Sequence, residues 1–264
     1  MVDFAKKLNL ETLISGGKFM RADDRIKQRL ILAVAAREKQ GKTHLSLTAP
    51  GPIVTFNADI GLEGVVHKFL PQKEILVYNL AVPNAKDRNV EKEATRVWEE
   101  LEDAVDCALG NPSVRTIVFD TATEIWEIVR LAYFGKLTEV KPHHYAGVNA
   151  EFRRFLKRVF ATDKNLILNM KMKAEYVNNN RTGEWEMAGF NDTAFIAQAV
   201  VYPFRVDKPM KIDEDTTLDK GDFGVRIFES RHNPNANGMV LHGPLATFQF
   251  IAATILGADP ANFE

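Results

Sequence analysis

Residues 30–47 read LILAVAAREKQGKTHLSL, and this stretch decides the fold of the 264-residue chain. It begins with an apolar run, Leu30–Ala35, which is typical of a strand covered on both faces of a sheet. A short loop then leads to Gly41-Lys42-Thr43, and a helical segment follows from His44. A strand, a loop, Gly-Lys-Thr and a helix in this order are the sequence context of a phosphate-binding loop. The chain is therefore predicted to bind a nucleotide at the end of its first strand.

Each residue type in this loop suits the phosphates of ATP and a bound Mg²⁺ ion. Gly41 lets the backbone approach phosphate oxygens, Lys42 reaches the β- and γ-phosphates, and the Thr43 hydroxyl ligates magnesium. The usual pattern has glycine where this chain has Ala36, whose methyl group restricts positive φ and predicts a slightly reshaped loop. The alternative is an ordinary surface Gly-Lys-Thr at a helix start. The predicted cofactor-binding residues are Ala36, Gln40, Gly41, Lys42, Thr43 and His44.

Asp120 directly follows another strongly apolar run, Val114–Phe119. A carboxylate at the tip of a buried strand can hold the hydration shell of Mg²⁺, and the charge of Lys42 compensates it. We therefore predict that Thr43 and Asp120 are the metal-binding residues. The alternative is that Asp120 caps the helix that follows, a role that Thr121 can also fill.

Hydrolysis also requires a group that orients the attacking water. The strand Ile53–Phe56 runs into Asn57-Ala58-Asp59, and an acid just after that strand faces the nucleotide from the same edge of the sheet. Asp59 is the first candidate for this role, and Glu63 is the second. The alternative is ordinary turn and helix-cap chemistry at both positions.

Apolar runs alternate with segments of helical period along most of the chain. The runs lie at Leu30–Ala35, Ile53–Phe56, Ile75–Leu80, Val114–Phe119 and Leu166–Asn169. Amphipathic helices are predicted near residues 94–108 and 145–160, and a buried helix near 245–258. This alternation predicts an α/β fold with a mostly parallel sheet flanked by helices. Later elements, predicted to extend the sheet antiparallel, are a hairpin over Glu175–Met187 and strands at Val200–Val206 and Gly224–Phe228.

The composition excludes several classes of protein. Hydrophobic residues make up 45% of the chain and charged residues 26%, which is typical of a globular fold and not of a disordered or fibrous one. The single cysteine, Cys107, excludes an internal disulfide or a cysteine zinc cluster, and we expect it to be a buried small side chain. His143 and His144 have no carboxylate at ligand spacing, so no zinc site is expected there. With no signal-like or membrane-spanning run, the expected location is the cytoplasm.

Charge is spread unevenly, although its net value is only −1. Residues 91–127 contain ten acidic and three basic residues, a balance of −7, and residues 141–181 contain nine basic and three acidic residues, a balance of +6. A net charge near zero excludes a uniformly basic nucleic-acid coat but permits a regional patch. The basic segment is therefore either a surface for a polyanion or a solvated face.

The order of these motifs resembles the core of RecA-type recombinases. The matching elements are Gly41-Lys42-Thr43, Asn57-Ala58-Asp59, Phe119-Asp120-Thr121 and Leu166–Lys171. Over roughly residues 28–250 the chain looks most like the small phage-encoded RecA-like ATPases of the Sak type, AAA-type proteins that assist single-strand annealing and recombination. The predicted organisation is an N-terminal extension over 1–28, a RecA-like ATPase domain over 29–257 and a C-terminal tail over 258–264.

The resemblance also implies roles for individual residues of the site. The family has a water-activating glutamate after its second strand, and the matching residue here is Asp59, a shorter acid. The family also places a polar sensor after the strand that matches Leu166–Asn169. The candidates here are Asn169 and Lys171, because Met170 stands where recombinases often carry glutamine.

Recombinases carry DNA-binding loops downstream of that strand, and the residues here combine cations for phosphates with rings for bases. The implied contacts with a single strand are Lys171, Lys173, Tyr176, Arg181 and Trp185. The alternative is an ordinary exposed hairpin in which Tyr176 and Trp185 pair across the strands. The segment Val225–Arg231 resembles the late strand from which a recombinase subunit reaches the ATP site of its neighbour. Arg231 is the first candidate for the reaching cation, and Arg226 is the second. The predicted catalytic residues are thus Lys42, Asp59, Asp120 and Arg231.

The function that the resemblance implies is a Mg²⁺-dependent ATPase that acts on single-stranded DNA in phage recombination or replication. It implies a homo-oligomer, either a ring or a filament, a single-strand DNA-binding protein as a further partner, and the host cytoplasm as the location. One alternative is a nucleotide-binding scaffold or a DNA-motor subunit with weak hydrolysis. The other is a P-loop kinase for a small molecule, which requires an arginine-rich lid that the segment after Asn169 does not offer.

Overall fold

The structure is a computed structural model that describes residues 29–136, 140–178 and 180–263. The predicted N-terminal extension, residues 1–28, lies outside the described residues. The strands are β1 (Ile31–Ala36), β2 (Ile53–Asn57), β3 (Ile75–Asn79), β4 (Thr116–Asp120), β5 (Asn165–Val177), β6 (Asn180–Met187), β7 (Ala199–Arg205), β8 (Met210–Lys211), β9 (Thr217–Leu218), β10 (Phe223–Ser230) and β11 (Val240–His242). The α-helices are α1 (Lys42–Leu47), α2 (Val90–Gly110), α3 (Ala122–Phe134), α4 (Tyr145–Phe160), α5 (Thr193–Ile196) and α6 (Phe248–Leu256).

The main sheet has the strand order β11-β10-β7-β1-β5-β4-β2-β3, and β6 pairs with the outer half of β5. All neighbours from β7 to β3 are parallel, whereas β10 is antiparallel to both β7 and β11. The predicted α/β class with a mostly parallel sheet is confirmed. The antiparallel direction is confirmed for β10 but was wrong for β7. Residues 188–198 return the chain to the amino end of β1, where Gln198 N donates to Ile31 O at 2.8 Å, so β7 runs alongside β1.

The helices cover the sheet on two sides and bury it between them. On one side α2, α3 and α4 pack around Leu101, Phe119 and Phe155. On the other side α1 and α6 pack around Leu45 and Ile251. All six residues of β1 are buried, which explains why the strand is continuously apolar and does not alternate. The fold is therefore a three-layer α/β arrangement with β1 near its centre.

Cys107 and the segment Pro260–Phe263 show where the outer surface of α2 and the last described residues lie. Cys107 is exposed, and the prediction that it is buried was wrong. Val105 and Ala108 are the buried residues of this part of α2, so Cys107 between them lies on the outer face of the helix. At the C-terminus, within the segment predicted to be a tail, Pro260–Phe263 forms a 3-10 helix, and Phe263 is buried against Phe248.

Candidate active site

The carboxyl ends of β1, β2, β4 and β5 meet at one edge of the sheet and bring the predicted site residues together. The strand register places Asp120 between Asn57 on β2 and Asn169 on β5. Ala36 ends β1 beside Lys171 of β5, and the loop over residues 37–41 leads from there into α1. Polar residues that are far apart in the sequence thus converge because parallel strands end at a common edge.

The loop over residues 37–41 turns at two residues with positive φ, Lys39 at 62° and Gly41 at 94°. Gly41 is the N-cap of α1, and a Cβ atom there would lie 2.5 Å from the Phe223 ring. Only glycine fits at this position, because a side chain would be both strained and sterically blocked. Ala36 belongs to β1 and keeps an extended conformation, so its methyl group does not strain the loop. The expected reshaping at Ala36 is therefore not needed.

Lys42 lies over the backbone of the loop that precedes it. Its Nζ donates to Ala36 O at 2.9 Å and to Arg37 O at 3.0 Å. Burial lowers the pKa of Lys42, and the negative charges of Asp120 and Asp59 oppose this change. The ammonium group is thus held at the mouth of the loop by carbonyl oxygens and lies in the field of two carboxylates, where a phosphate group would need it.

Thr43 and Asp120 are in direct contact, as a shared metal site requires. The Thr43 hydroxyl donates to Asp120 Oδ2 at 2.7 Å, and Asp120 is only 2% exposed. Burial raises the pKa of Asp120, whereas Thr43, Asn169 and the charge of Lys42 favour its ionised form. Thr121, and not Asp120, caps α3, since its side chain accepts from Glu124 N. Asp120 is therefore available for another role.

Asn169 completes the buried part of the site. Its Oδ1 accepts from the Ser46 hydroxyl at 2.8 Å, which ties α1 to β5. Its Nδ2 lies near enough to Asp120 to lower the pKa of that carboxyl, but it has no hydrogen-bond partner of normal geometry among the described residues. A buried donor of this kind costs free energy unless an acceptor binds it. Together with the hydroxyl of Thr43 and the carboxylate of Asp120, it fits a hydrated Mg²⁺ ion and a phosphate.

Asp59 lies in the same site, next to Lys171. Its Oδ2 is 4.0 Å from Lys171 Nζ, and its charge raises the pKa of both Lys42 and Asp120. The loop that follows β2 also approaches Thr43, because a Cβ atom at Gly61 would lie 3.5 Å from Thr43 Oγ1. The second candidate for the water-orienting role, Glu63, is exposed in the turn after this loop.

Lys171 belongs to this site and not to the exposed part of the hairpin. Its ammonium forms an ion pair with Glu124 and its backbone N–H donates to Thr123 Oγ1 at 3.0 Å. Of the two roles considered for Lys171, this location suits the sensor better than a DNA contact. The sequence analysis missed Glu124, which lies in the first turn of α3, four residues after Asp120. An acid at that position of a helix N-terminus was a signal that could have been used.

The other predicted nucleotide-binding residues contact side chains from distant parts of the chain. Gln40 Oε1 accepts from Arg205 N at 2.7 Å, so the loop is tied to the end of β7. The His44 ring packs against Phe69 and Phe223 at centroid distances of 5.3 and 5.5 Å. Burial, followed by the charges of Lys68 and Arg205, lowers the pKa of His44 and favours its neutral form. Sequence reasoning missed Arg205 and Phe223 because no local pattern links them to the loop.

The remaining DNA-contact candidates lie on the β5–β6 hairpin, which extends beyond the sheet edge. Tyr176 is 62% exposed and Trp185 is 38% exposed. The proposed pairing of these two rings was wrong, since Tyr176 faces Arg181 and Trp185 faces Ala174 across the strands. Lys173 forms an ion pair with Glu186 at 3.2 Å, so its charge is partly compensated. The hairpin offers exposed rings and two cations, but Glu175, Glu184 and Glu186 outnumber Lys173 and Arg181, so it has no excess of positive charge.

The basic residues of the segment over 141–181 are less available to a polyanion than the net charge of the segment suggested. Arg154 contacts Glu102 at 2.7 Å and Arg158 contacts Asp106 at 2.8 Å, so α4 pairs with the acidic face of α2. Arg153 pairs with Asp192. The two unbalanced segments of the sequence thus compensate each other, and the helix arginines are not a free surface for a polyanion.

Arg231 lies far from the phosphate-binding loop of its own chain. Ser230, the last residue of β10, pairs with Ala199 at the start of β7, which pairs with Leu32 near the start of β1. The loop lies at the other end of β1, roughly 15 Å away at the usual rise of a strand. The Arg231 guanidinium donates to Phe195 O. Arg226, the second choice, is exposed in the middle of β10. Arg231 would therefore need a neighbouring subunit to meet an ATP site, whereas Arg226 pairs with Tyr202 and lies nearer the loop end of the sheet.

None of the helices in the described part of the chain combines the length and the apolar character needed to cross a membrane. Nowhere in the described residues do three or more His, Cys, Asp or Glu side chains gather into a metal-binding group.

Comparison with known proteins gives one family and several similar structures. Residues 28–200 match the sequence profile of the AAA domain family. No curated protein matches the chain. A crystal structure of the RadB recombinase is 13% identical, with a TM-score of 0.47 over 82% of this chain and 87% of that one.

Two further structures show comparable similarity at 13% identity. One is a KaiC-like protein, PH0186 from the archaeon Pyrococcus horikoshii OT3, with a TM-score of 0.41 over 81% of this chain and 89% of that one. The other is a DnaB-like replicative helicase, with a TM-score of 0.47 over 92% of this chain and 65% of that one.

Proposed function

The chain belongs to the AAA domain family, and from this membership we propose that it is a Mg²⁺-dependent ATPase with a RecA-like core that acts on single-stranded DNA. The observation that carries the ATPase proposal is the 2.7 Å contact between the Thr43 hydroxyl and Asp120, beside the ammonium group of Lys42. A hydroxyl, a buried carboxylate and a lysine at a glycine turn are the groups that bind the phosphates and metal of a nucleoside triphosphate.

Each residue of the site has a distinct role in this proposal. Lys42 binds the β- and γ-phosphates, and Thr43 and Asp120 hold Mg²⁺, which neutralises charge on the phosphates when it is bound. Asp59 orients the attacking water and accepts its proton. Lys171 stands between Asp59 and Glu124 and is placed to sense the γ-phosphate.

The DNA part of the proposal rests on the β5–β6 hairpin, together with the sequence resemblance to Sak-type ATPases. Tyr176 and Trp185 are exposed rings on which bases can stack, and Arg181 and Lys173 can bind the phosphates between them. The role in phage recombination or replication, and a single-strand DNA-binding protein as partner, follow from the same resemblance.

Steady-state ATP hydrolysis with and without single-stranded DNA tests this function. We expect DNA to stimulate the wild-type rate, and Lys42→Ala to lower the rate on the order of 100-fold or more because the phosphates lose their cation. Lys157→Ala is the matched control, since Lys157 is exposed on α4 and alanine preserves the helix. An unchanged rate in Lys42→Ala would refute the assigned site.

The products of this assay also separate the alternative functions. Tight ATP binding without turnover at high protein concentration would favour the scaffold, a reading that the short Asp59 side chain beside Lys171 supports. Radioactive phosphate that appears on a small acceptor and not in water would favour the kinase.

Subunit mixing tests the oligomer and the role of Arg231. We expect Arg231→Ala and Lys42→Ala chains to be inactive separately, since each lacks a different part of a shared site. Mixed in equal amounts, they should recover part of the wild-type rate, because some interfaces then combine an intact Lys42 with an intact Arg231. No recovery at any mixing ratio would contradict a site completed by a neighbouring subunit.

A further inference from the structure

Trp185 on β6 contacts two arginines, one of which belongs to the phosphate-binding loop. Arg37 Cζ lies 5.2 Å from the centre of the indole ring, and Arg181 Cζ lies 5.6 Å from it. A guanidinium group at this distance is attracted to the electron-rich face of the ring. Arg37 therefore joins the loop to the hairpin directly, although Arg37 and Trp185 are 148 residues apart in the sequence.

The backbone of Arg37 is also joined to Lys42. The Arg37 carbonyl oxygen accepts a hydrogen bond of 3.0 Å from Lys42 Nζ, and the Ala36 carbonyl accepts another. A lysine ammonium has three donors and these two carbonyls use two of them, so binding both the β- and γ-phosphates takes at least one donor away from a carbonyl oxygen. Phosphate binding therefore alters the contacts of the Arg37 backbone, while Trp185 holds the Arg37 side chain.

A groove between the loop and the hairpin gives the Arg37 side chain room to move. The cavity there measures about 270 Å³, and its lining includes Arg37, Gln40, Glu184, Trp185 and Tyr202. Trp185 keeps 38% of its surface exposed beside this groove. A base can therefore approach the indole, but stacking on it requires ring surface that the arginines already contact.

We propose that the contact between Arg37 and Trp185 couples the nucleotide site to the nucleic-acid surface. This inference rests on the proposed function, since it takes the loop as the ATP site and the hairpin as the DNA site. A base that stacks on Trp185 displaces Arg37, and a nucleotide that repositions Arg37 uncovers the indole. Because linkage is reciprocal, each ligand changes the affinity for the other by the same factor.

The first experiment uses nucleotide alone and needs no DNA. The emission of Trp185 is measured as the difference between the wild-type chain and Trp185→Phe, with and without a non-hydrolysable ATP analogue and Mg²⁺. We expect the analogue to shift this emission to longer wavelength, because the ring loses Arg37 and meets more water. In Arg37→Met, compared with Arg37→Met/Trp185→Phe, the shift should fall to less than half.

The second experiment measures the coupling factor with a labelled oligothymidine. The Kd of the oligonucleotide is determined with and without the analogue, and we expect a ratio on the order of 5–150 for the wild type. Arg37→Met should bring this ratio close to 1. Arg181→Met is the matched control, because it touches the same ring but not the loop: it should weaken binding and keep the ratio.

The outcomes separate this inference from the proposed function. If the oligonucleotide never binds but the nucleotide shifts Trp185 emission through Arg37, the DNA function fails and the loop–hairpin contact stands. If hydrolysis and DNA binding are normal but Arg37→Met leaves both the shift and the ratio unchanged, the inference is overturned. Loss of the ratio to the same extent in Arg181→Met would also overturn it, since the effect would then belong to the ring and not to the loop.

Discussion

The two halves of β5 lie in contrasting environments. Asn165–Met170 is buried between β1 and β4, and it holds Asn169 beside Asp120. Beyond Lys171 the strand leaves these neighbours and pairs with β6, and most of its side chains are partly or fully exposed. One strand thus passes from a site held by the core to a surface open to a partner. Substitutions in the first half should affect hydrolysis and stability, whereas substitutions in the second half should affect binding.

The largest effect is expected from Asp120→Asn, because Asp120 lies beside Asn169 in the buried part of the site. We expect hydrolysis to fall on the order of 100-fold or more, because the amide cannot supply the negative charge that Mg²⁺ requires. The free energy of unfolding should rise by about 1–2 kcal/mol, since a buried charge is removed from a functional site. Parallel ATPase assays and urea unfolding measure the two effects, and a less stable variant would contradict the burial argument.

The unfolding free energies of the wild type and Asp120→Asn should also depend differently on pH. Burial raises the pKa of Asp120, so the native state binds a proton more readily than the unfolded chain between the ordinary and the raised pKa. Lowering the pH through that interval should therefore stabilise the wild type relative to Asp120→Asn. The difference between their unfolding free energies is expected to shrink towards acid pH, and a difference that grows would show that the native pKa is lowered.

Asn169→Leu should have the next largest effect on stability. The Ser46 hydroxyl loses its acceptor on β5 and keeps only its bond to Lys42 O, so we expect a loss of about 0.5–1.5 kcal/mol in urea unfolding. Tyr176→Leu, in the exposed half of the same strand, is the control and should change stability by less than about 0.5 kcal/mol. Equal losses in the two variants would remove the distinction between the halves.

Trp185→Leu tests the exposed side of the comparison. We expect single-stranded DNA to bind about 1–3 kcal/mol more weakly, because a stacking surface for one base is lost. Unfolding by urea should change little, since the ring is partly exposed. Fluorescence anisotropy of a labelled oligonucleotide measures the affinity, and a variant that binds DNA as the wild type does would exclude Trp185 as a contact.

Glu186→Gln should produce the smallest change. The substitution frees Lys173 from its ion pair, and an exposed pair of this kind contributes less than about 1 kcal/mol. DNA affinity should therefore rise slightly, and the slope of log affinity against log salt should steepen by about 0.7 as one more phosphate is neutralised. Lys173→Gln should do the opposite, and a shift in the same direction for both variants would contradict a role of Lys173 in DNA binding.

The elements of the buried half could be predicted because their signals are local. Continuous apolar runs indicate β1 and β4, and the Gly-Lys-Thr turn and the acid that ends β4 identify Lys42, Thr43 and Asp120 as a group. The exposed half carried weaker signals. Its rings and cations were visible in the sequence, but their partners were not, so the pairing of Tyr176 with Trp185 was predicted wrongly.

Contacts between distant segments explain the other differences. The charge excess of residues 141–181 pointed to a polyanion surface, but α2 supplies carboxylates to the arginines of α4. Lys171 was grouped with DNA contacts by its position in the sequence, whereas the loop after β2 and the first turn of α3 place Asp59 and Glu124 beside it. A composition count cannot show which charges meet across the fold.

The amino-acid order alone determined the class of the fold and the chemistry of the phosphate-binding loop, because both depend on short-range backbone preferences and on side chains a few residues apart. Tertiary structure decided which distant groups meet that loop: Glu124 beside Lys171, Phe223 against Gly41, and Trp185 against Arg37. Such contacts follow from strand order and from where each strand ends. These properties are set by how the whole sheet buries its apolar faces.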